Sequence, residues 1–217
     1  MNKTFKTEIK VSKTARIFYT VNDNDVKVKW MCIHGYGQLA LFFIKKFEYL
    51  NKGHVFYSPE GLHRFYTLGF YGRVGASWMT KEDRLVDIKD NIEFLDQVND
   101  LMKKNHSKAK LGLFSFSQGT ATLIRFIYNK KIKPDYLIIW AGSLPPELEA
   151  SEGLINLLIE TKVFFVAGDQ DEFIDEENYK INTRLMSTIA PHFKLVNYKG
   201  KHAIDVEILQ GLLNKID

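Results

Sequence analysis

The chain has 217 residues, 45% of them apolar and 26% charged, which is long enough to bury a substantial core and ordinary for a globular α/β protein. Its formal charge of +4 is spread along the sequence rather than gathered in a basic stripe, which argues against nucleic acid as a partner. One cysteine excludes an intrachain disulfide. No run is apolar and long enough for a membrane span, and the opening residues lack the apolar stretch of a secretion signal, so a cytoplasmic location is expected.

In chain order, residues 5–11 and 15–21 alternate apolar and polar positions around a short turn. That pattern predicts an antiparallel hairpin at a sheet edge. Residues 26–33 read as a strand ending in His34-Gly35-Tyr36-Gly37, and 39–50 as a helix. A short strand over 54–57 closes at Ser58-Pro59-Glu60-Gly61. Residues 81–103 give the clearest helix, with Leu85, Ile88, Ile92, Leu95, Val98 and Met102 at three- and four-residue steps and Thr80 and Asp83 as candidate caps. Strands follow over 109–114, 136–140, 163–167 and 193–198, and helices over 118–129, from 175 onward, and over 203–216. The alternation predicts one α/β domain: a mostly parallel sheet between helical layers, with ligands bound at the carboxyl ends of the strands and no large lid.

The segment Leu113-Phe114-Ser115-Phe116-Ser117-Gln118-Gly119 carries the strongest chemical signal. An apolar strand runs straight into a helix through Ser-Phe-Ser-Gln-Gly. A sharp turn there lifts the Ser117 side chain out of the sheet, and small residues two before and two after it let strand and helix pack closely. Ser115 and Gly119 fill those positions. The first N–H groups of the helix have no helical partner, which places the N–H of Gln118 to receive charge developing on a carbonyl oxygen. A second donor is expected from the turn after the earlier strand, at the N–H of Tyr36. His34 reads better as a brace of that turn than as a participant in chemistry.

Serine is a poor nucleophile and needs an adjacent base. Of six histidines, His202 alone stands between the last strand and the last helix, at the sheet end where Ser117 should emerge. The acid is expected between them in sequence, in Ala167-Gly168-Asp169-Gln170-Asp171. The spacing favours Asp171, with Asp169 shaping the loop. A calcium loop is a poor reading of this run, because Ile174 and Lys180 stand where glycine and a carboxylate are needed. No cluster has metal-ligand spacing, so neither metal nor other cofactor is expected.

Residues 57–79 interleave Tyr57, Phe65, Tyr66, Phe70, Tyr71 and Trp78 with glycines and are too long for an ordinary connection. Two readings stay open: a mobile aromatic wall in which Phe65, Tyr66, Phe70, Tyr71 and Trp78 bind substrate, or a loop whose rings fold into the core. Gly142-Ser143-Leu144-Pro145-Pro146 is a second, shorter candidate cover.

His34-Gly35-Tyr36-Gly37, Ser115-x-Ser117-Gln118-Gly119, Gly168-x-x-Asp171 and Gly200-x-His202 occur in an order that resembles the α/β-hydrolase superfamily. The Phe-Ser-Gln-Gly stretch is most similar to its carboxylesterase/phospholipase branch, which includes acyl-protein thioesterases. The resemblance implies a Ser117–Asp171–His202 triad with backbone donors at Tyr36 and Gln118, while the lack of a large lid favours small or extended soluble esters and thioesters over aggregated lipid. Ser115 for glycine, and Tyr36 and Gln38 where that branch often has leucine and aspartate, are departures from the pattern. A non-catalytic binding protein on the same fold, an acyl transferase or a peptidase are the competing expectations. Oligomeric state is not legible.

Overall fold

The computed structural model describes residues 3–21, 25–50, 52–149, 151–173 and 176–216. In chain order it comprises β1 (Ile17–Tyr19), β2 (Val28–Ile33), α1 (Ala40–Ile44), β3 (His54–Pro59), β4 (His63–Leu68), β5 (Tyr71–Ser77) and α2 (Arg84–Asn105). Then follow β6 (Lys110–Phe116), α3 (Gly119–Lys130), β7 (Tyr136–Trp140), a short 3-10 turn at Pro146–Leu148, α4 (Glu152–Leu158), β8 (Lys162–Gly168), α5 (Glu176–Ile189), β9 (Lys194–Tyr198) and α6 (Val206–Leu213).

Seven strands form one sheet in the order β1-β3-β2-β6-β7-β8-β9, parallel throughout except for β1, which runs antiparallel to β3. Strands β2 and β7 are buried along their whole length, which explains their nearly continuous apolar sequence. Successive side chains point to opposite faces and feed two cores. Met31, Ile33, Leu137 and Ile139 enter the core that includes Leu95 and Val98 of α2 and Leu123 and Ile127 of α3. Trp30, Cys32, Ile138 and Trp140 enter the other, with Phe43 of α1 and Leu209 and Leu212 of α6. Helices on both faces cover the sheet, as a sheet that is almost wholly parallel requires.

Three expectations are corrected. The N-terminal hairpin does not form. Only Ile17–Tyr19 is a strand, and it pairs with the edge of β3, leaving Phe5, Ile9 and Val11 exposed. The helix expected over 39–50 ends at Ile44. Beyond it, N–H groups bond three residues back, from Lys46 to Phe43, Phe47 to Ile44 and Leu50 to Phe47. A run of tight turns at that step buries Phe47 and Leu50 on the same side as a helix would. The aromatic segment is not a loop. It is the two-stranded β4–β5 hairpin, whose Gln38–Ala76 bridge ties it to the turn after β2.

Candidate active site

β6 ends at Phe116 and α3 begins at Gly119, so Ser117 and Gln118 make the whole strand-to-helix turn. Ser117 has φ 51°, a left-handed conformation that is strained for a residue with a side chain. The surrounding structure holds it there. Its N–H donates to the Trp140 carbonyl at 3.0 Å and its carbonyl accepts the Thr120 N–H at 2.9 Å. A Cβ on Gly119 would stand 2.6 Å from the carbonyl oxygens of both Ile33 and His34, so α3 crosses the end of β2 at a distance that glycine alone permits. Ser115, the departure from the family pattern, is fully buried and accepts a hydrogen bond from the Thr120 hydroxyl at 3.0 Å. The extra hydroxyl therefore has a partner.

The turn after β2 is braced from three sides. The Gly35 N–H donates to Gln38 Oε1 at 2.9 Å, the Gly37 N–H to the Ala76 carbonyl at 2.9 Å, and the Ala76 N–H returns to the Gln38 carbonyl at 3.1 Å. His34 is fully buried. Its Nε2 accepts the Gly61 N–H at 2.9 Å, which leaves Nδ1–H to donate to the Gly35 carbonyl at 2.7 Å. Burial holds its pKa down at about 4, so the ring is neutral at ordinary pH. The Trp78 indole donates to the His34 carbonyl at 2.9 Å. A Cβ on Gly35 would lie 3.2 Å from Ser117 Cβ, so this turn abuts the serine. Neither the Tyr36 N–H nor the Gln118 N–H has an acceptor among the described residues. The Gln118 side chain is fixed by bonds to Trp78 N, Met79 O and Ser77 Oγ.

On the far side, His202 Nδ1 lies 2.7 Å from Asp171 Oδ2, and the other carboxylate oxygen accepts the Phe173 N–H at 2.9 Å. The Asp171 side chain is 1% exposed and that of His202 13%. The imidazole stands between the rings of Phe116 and Phe173, with centroids 4.9 and 4.8 Å away. Asp169 instead shapes the loop, accepting the Gly200 N–H at 3.0 Å. A Cβ on Gly168 would meet the Gly200 carbonyl oxygen at 2.3 Å, so the loops after β8 and β9 cross in direct contact. The Trp140 indole donates to the Ala203 carbonyl at 3.0 Å, securing the chain just past His202.

Ser117 and His202 line one cavity of about 260 Å³, together with Gln118, Phe173, Met79 and the whole of Gly142–Pro146. The short candidate cover is thus where the sequence placed it. The aromatic wall is not: none of Phe65, Tyr66, Phe70, Tyr71 or Trp78 lines this cavity. Trp78 is fully buried, Phe65 packs at a tilt against Tyr36 with centroids 5.1 Å apart, and Tyr66, Phe70 and Tyr71 face solvent along the hairpin. Sequence reasoning missed Ala121, Arg125 and Arg84, which also line the cavity. Gln118, Ala121 and Arg125 recur at i, i+3 and i+7, so once Ser117 is placed at the start of α3 they share its face. Among the described residues, no group of three or more His, Cys, Asp or Glu side chains is arranged to hold a metal ion, and no helix is long and apolar enough to cross a membrane.

Sheet order, layering and the sharp turn at Ser117 define an α/β-hydrolase. Solved structures agree in fold. The chain is similar to Zea mays acyl-protein thioesterase 2 (17% identity, TM-score 0.72, covering 94% of this chain and 98% of that one). It is also similar to the Bacillus cereus carboxylesterase (15%, 0.64, 93% and 94%) and to a carboxylesterase from Mesorhizobium loti (13%, 0.65, 87% and 88%). The family model described as serine hydrolase (FSH1) matches residues 24–205, and the chain belongs to that family. It is an esterase-like serine hydrolase. No curated protein matches it.

Proposed function

We propose that this chain cleaves small carboxylic esters or thioesters through an acyl-enzyme on Ser117. The reading is carried by one observation: an imidazole hydrogen-bonded to a buried carboxylate, His202 to Asp171 at 2.7 Å, borders the same cavity as a serine in a strained turn. With Nδ1–H donated to Asp171, His202 Nε2 is left as the base. Ser117 Oγ attacks the substrate carbonyl carbon as its proton passes to Nε2. The oxyanion is received by the N–H groups of Tyr36 and Gln118, the latter opening the 12-residue helix α3. The carbon–oxygen or carbon–sulfur bond then breaks, and the imidazolium gives its proton to the departing alcohol or thiol. Water, activated by the same nitrogen, attacks the acyl-enzyme and restores Ser117. Asp171 holds the tautomer and steadies the imidazolium without taking its proton.

Neighbouring folds named as thioesterases and carboxylesterases support both substrate types. The test is a panel of short activated esters and thioesters with wild type and Ser117→Ala, alongside labelling by a fluorophosphonate. Turnover should fall roughly a thousandfold or more in the variant, and the label should disappear with it. Undiminished turnover in Ser117→Ala would refute the assignment.

A further inference from the structure

The cavity beside Ser117 is built mostly from small and apolar groups, yet two arginines line it. Arg84 is exposed, at the first position of α2. Arg125 is not: its side chain is 3% exposed, in the middle of α3. Such burial is costly for a guanidinium unless its donors are matched. Here they are matched only on one edge. Nε donates to Glu147 Oε1 at 2.5 Å, and that hydrogen bond with Arg125 is the main reason the Glu147 carboxyl sits below the usual carboxylate range. Nη1 faces only the Met79 thioether at 3.6 Å, a weak acceptor on a flexible arm. Nη2 is buried with no partner among the described residues. Among the described residues the fork opposite Glu147 therefore has only the weak Met79 thioether against it, and Met79 lines the same cavity.

From this geometry we infer that the substrate carries a carboxylate, which Arg125 and Arg84 receive within the Ser117 cavity. A carboxylate matches the free Nη1–Nη2 edge in the two-pronged manner that arginine favours, once the Met79 arm swings aside. Arg84 adds a second positive charge. Helical rise puts the Arg125 Cα about 9 Å along α3 from Gly119, the first helical residue past the Ser117 turn. Long side chains on a helix lean back toward its N-terminus, so the guanidinium returns part of that distance. The anion is thus separated from the scissile carbonyl by a short carbon chain, as in a hemiester of glutaric or adipic acid, or an ester of a comparable ω-hydroxy acid. The inference rests on the proposed hydrolysis, and it specifies the substrate class.

The test pairs p-nitrophenyl hemiglutarate with its methyl-capped, uncharged counterpart, and in parallel p-nitrophenol-free esters of a hydroxy acid with their methyl-capped forms, followed by product analysis. Wild type should favour the charged member of one pair at least tenfold in kcat/KM. The acyl or alcohol position of the carboxylate is read from which pair responds. Arg125→Met should abolish the preference, and Arg84→Gln, at an exposed site that leaves the fold intact, should reduce it at least threefold while neutral-ester turnover changes less. A wild-type preference near one, or a preference that Arg84→Gln leaves untouched, overturns the inference. If no ester of either kind is turned over, the hydrolase reading has failed, and calorimetric titration with glutarate decides the anion site separately. Binding that Arg84→Gln weakens supports it, and no binding to wild type overturns it.

Discussion

Replacing His34 by glutamine should remove much of the acid sensitivity of this fold. Folded His34 has a pKa of about 4, pushed down by burial from an ordinary 6.5. The unfolded chain therefore binds the extra proton throughout the interval between those values, and stability rises with pH across it. At pH 7.5 the ring is neutral in both states and contributes almost nothing to the pH dependence. By pH 5 the wild type should have lost about 2 kcal/mol through this group alone, tending to about 3 kcal/mol below pH 4. His54 and His106 are also held below their ordinary value by burial and act in the same sense, so the informative quantity is the difference between proteins. Glutamine can still offer an oxygen to the Gly61 N–H but cannot titrate. The assay is urea unfolding of wild type and His34→Gln at pH 7.5, 6 and 5. The variant should begin less stable, by about 1–3 kcal/mol from imperfect replacement of a buried hydrogen bond, and then lose less as the pH falls. Parallel pH dependences in the two proteins would refute the burial argument.

Two further outcomes concern the site. Asp171→Asn should lower kcat roughly a thousandfold or more, because an amide facing His202 Nδ1 favours the wrong tautomer, and the loss should appear in single-turnover acylation. A kcat within threefold of wild type would remove Asp171 from the mechanism. Gln38→Ala frees the Gly35 N–H and loosens the turn carrying Tyr36, so kcat should fall about tenfold with KM little changed. Gln38→Glu, which keeps an acceptor there, should recover most of the loss, and an equal loss in both variants would argue against this positioning role.

The central strands were legible because strands buried on both faces must be apolar almost throughout, and Tyr136–Trp140 was read with its observed bounds. Motif order brought His202 and Asp171 together on paper, and their contact follows from two parallel neighbours, β8 and β9, ending at one edge. What escaped was whatever depends on a partner distant in sequence. Residues 5–11 alternate like a strand, yet β3 is paired by β2 on one side and β1 on the other, and among the described residues no further strand joins β1. The β4–β5 hairpin was obscured because its aromatics read as pocket or core, whereas several of them face solvent and its buried end supports the Gly35–Gln38 turn. Arg125 was silent for a related reason: an arginine inside an amphipathic helix reads as surface until the rim of a cavity is placed beside it.

The crossing of Gly168 over Gly200 has a consequence for how such a molecule is altered, by selection or by design. Since the chain after β8 and the chain after β9 touch backbone to backbone, neither can be lengthened, shortened or exchanged for a homologous segment by itself without displacing its fellow. The two travel as a single cassette. Chimeras that swap both segments at once should keep their proton-handling parts aligned, whereas chimeras that swap one should fold with those parts out of step.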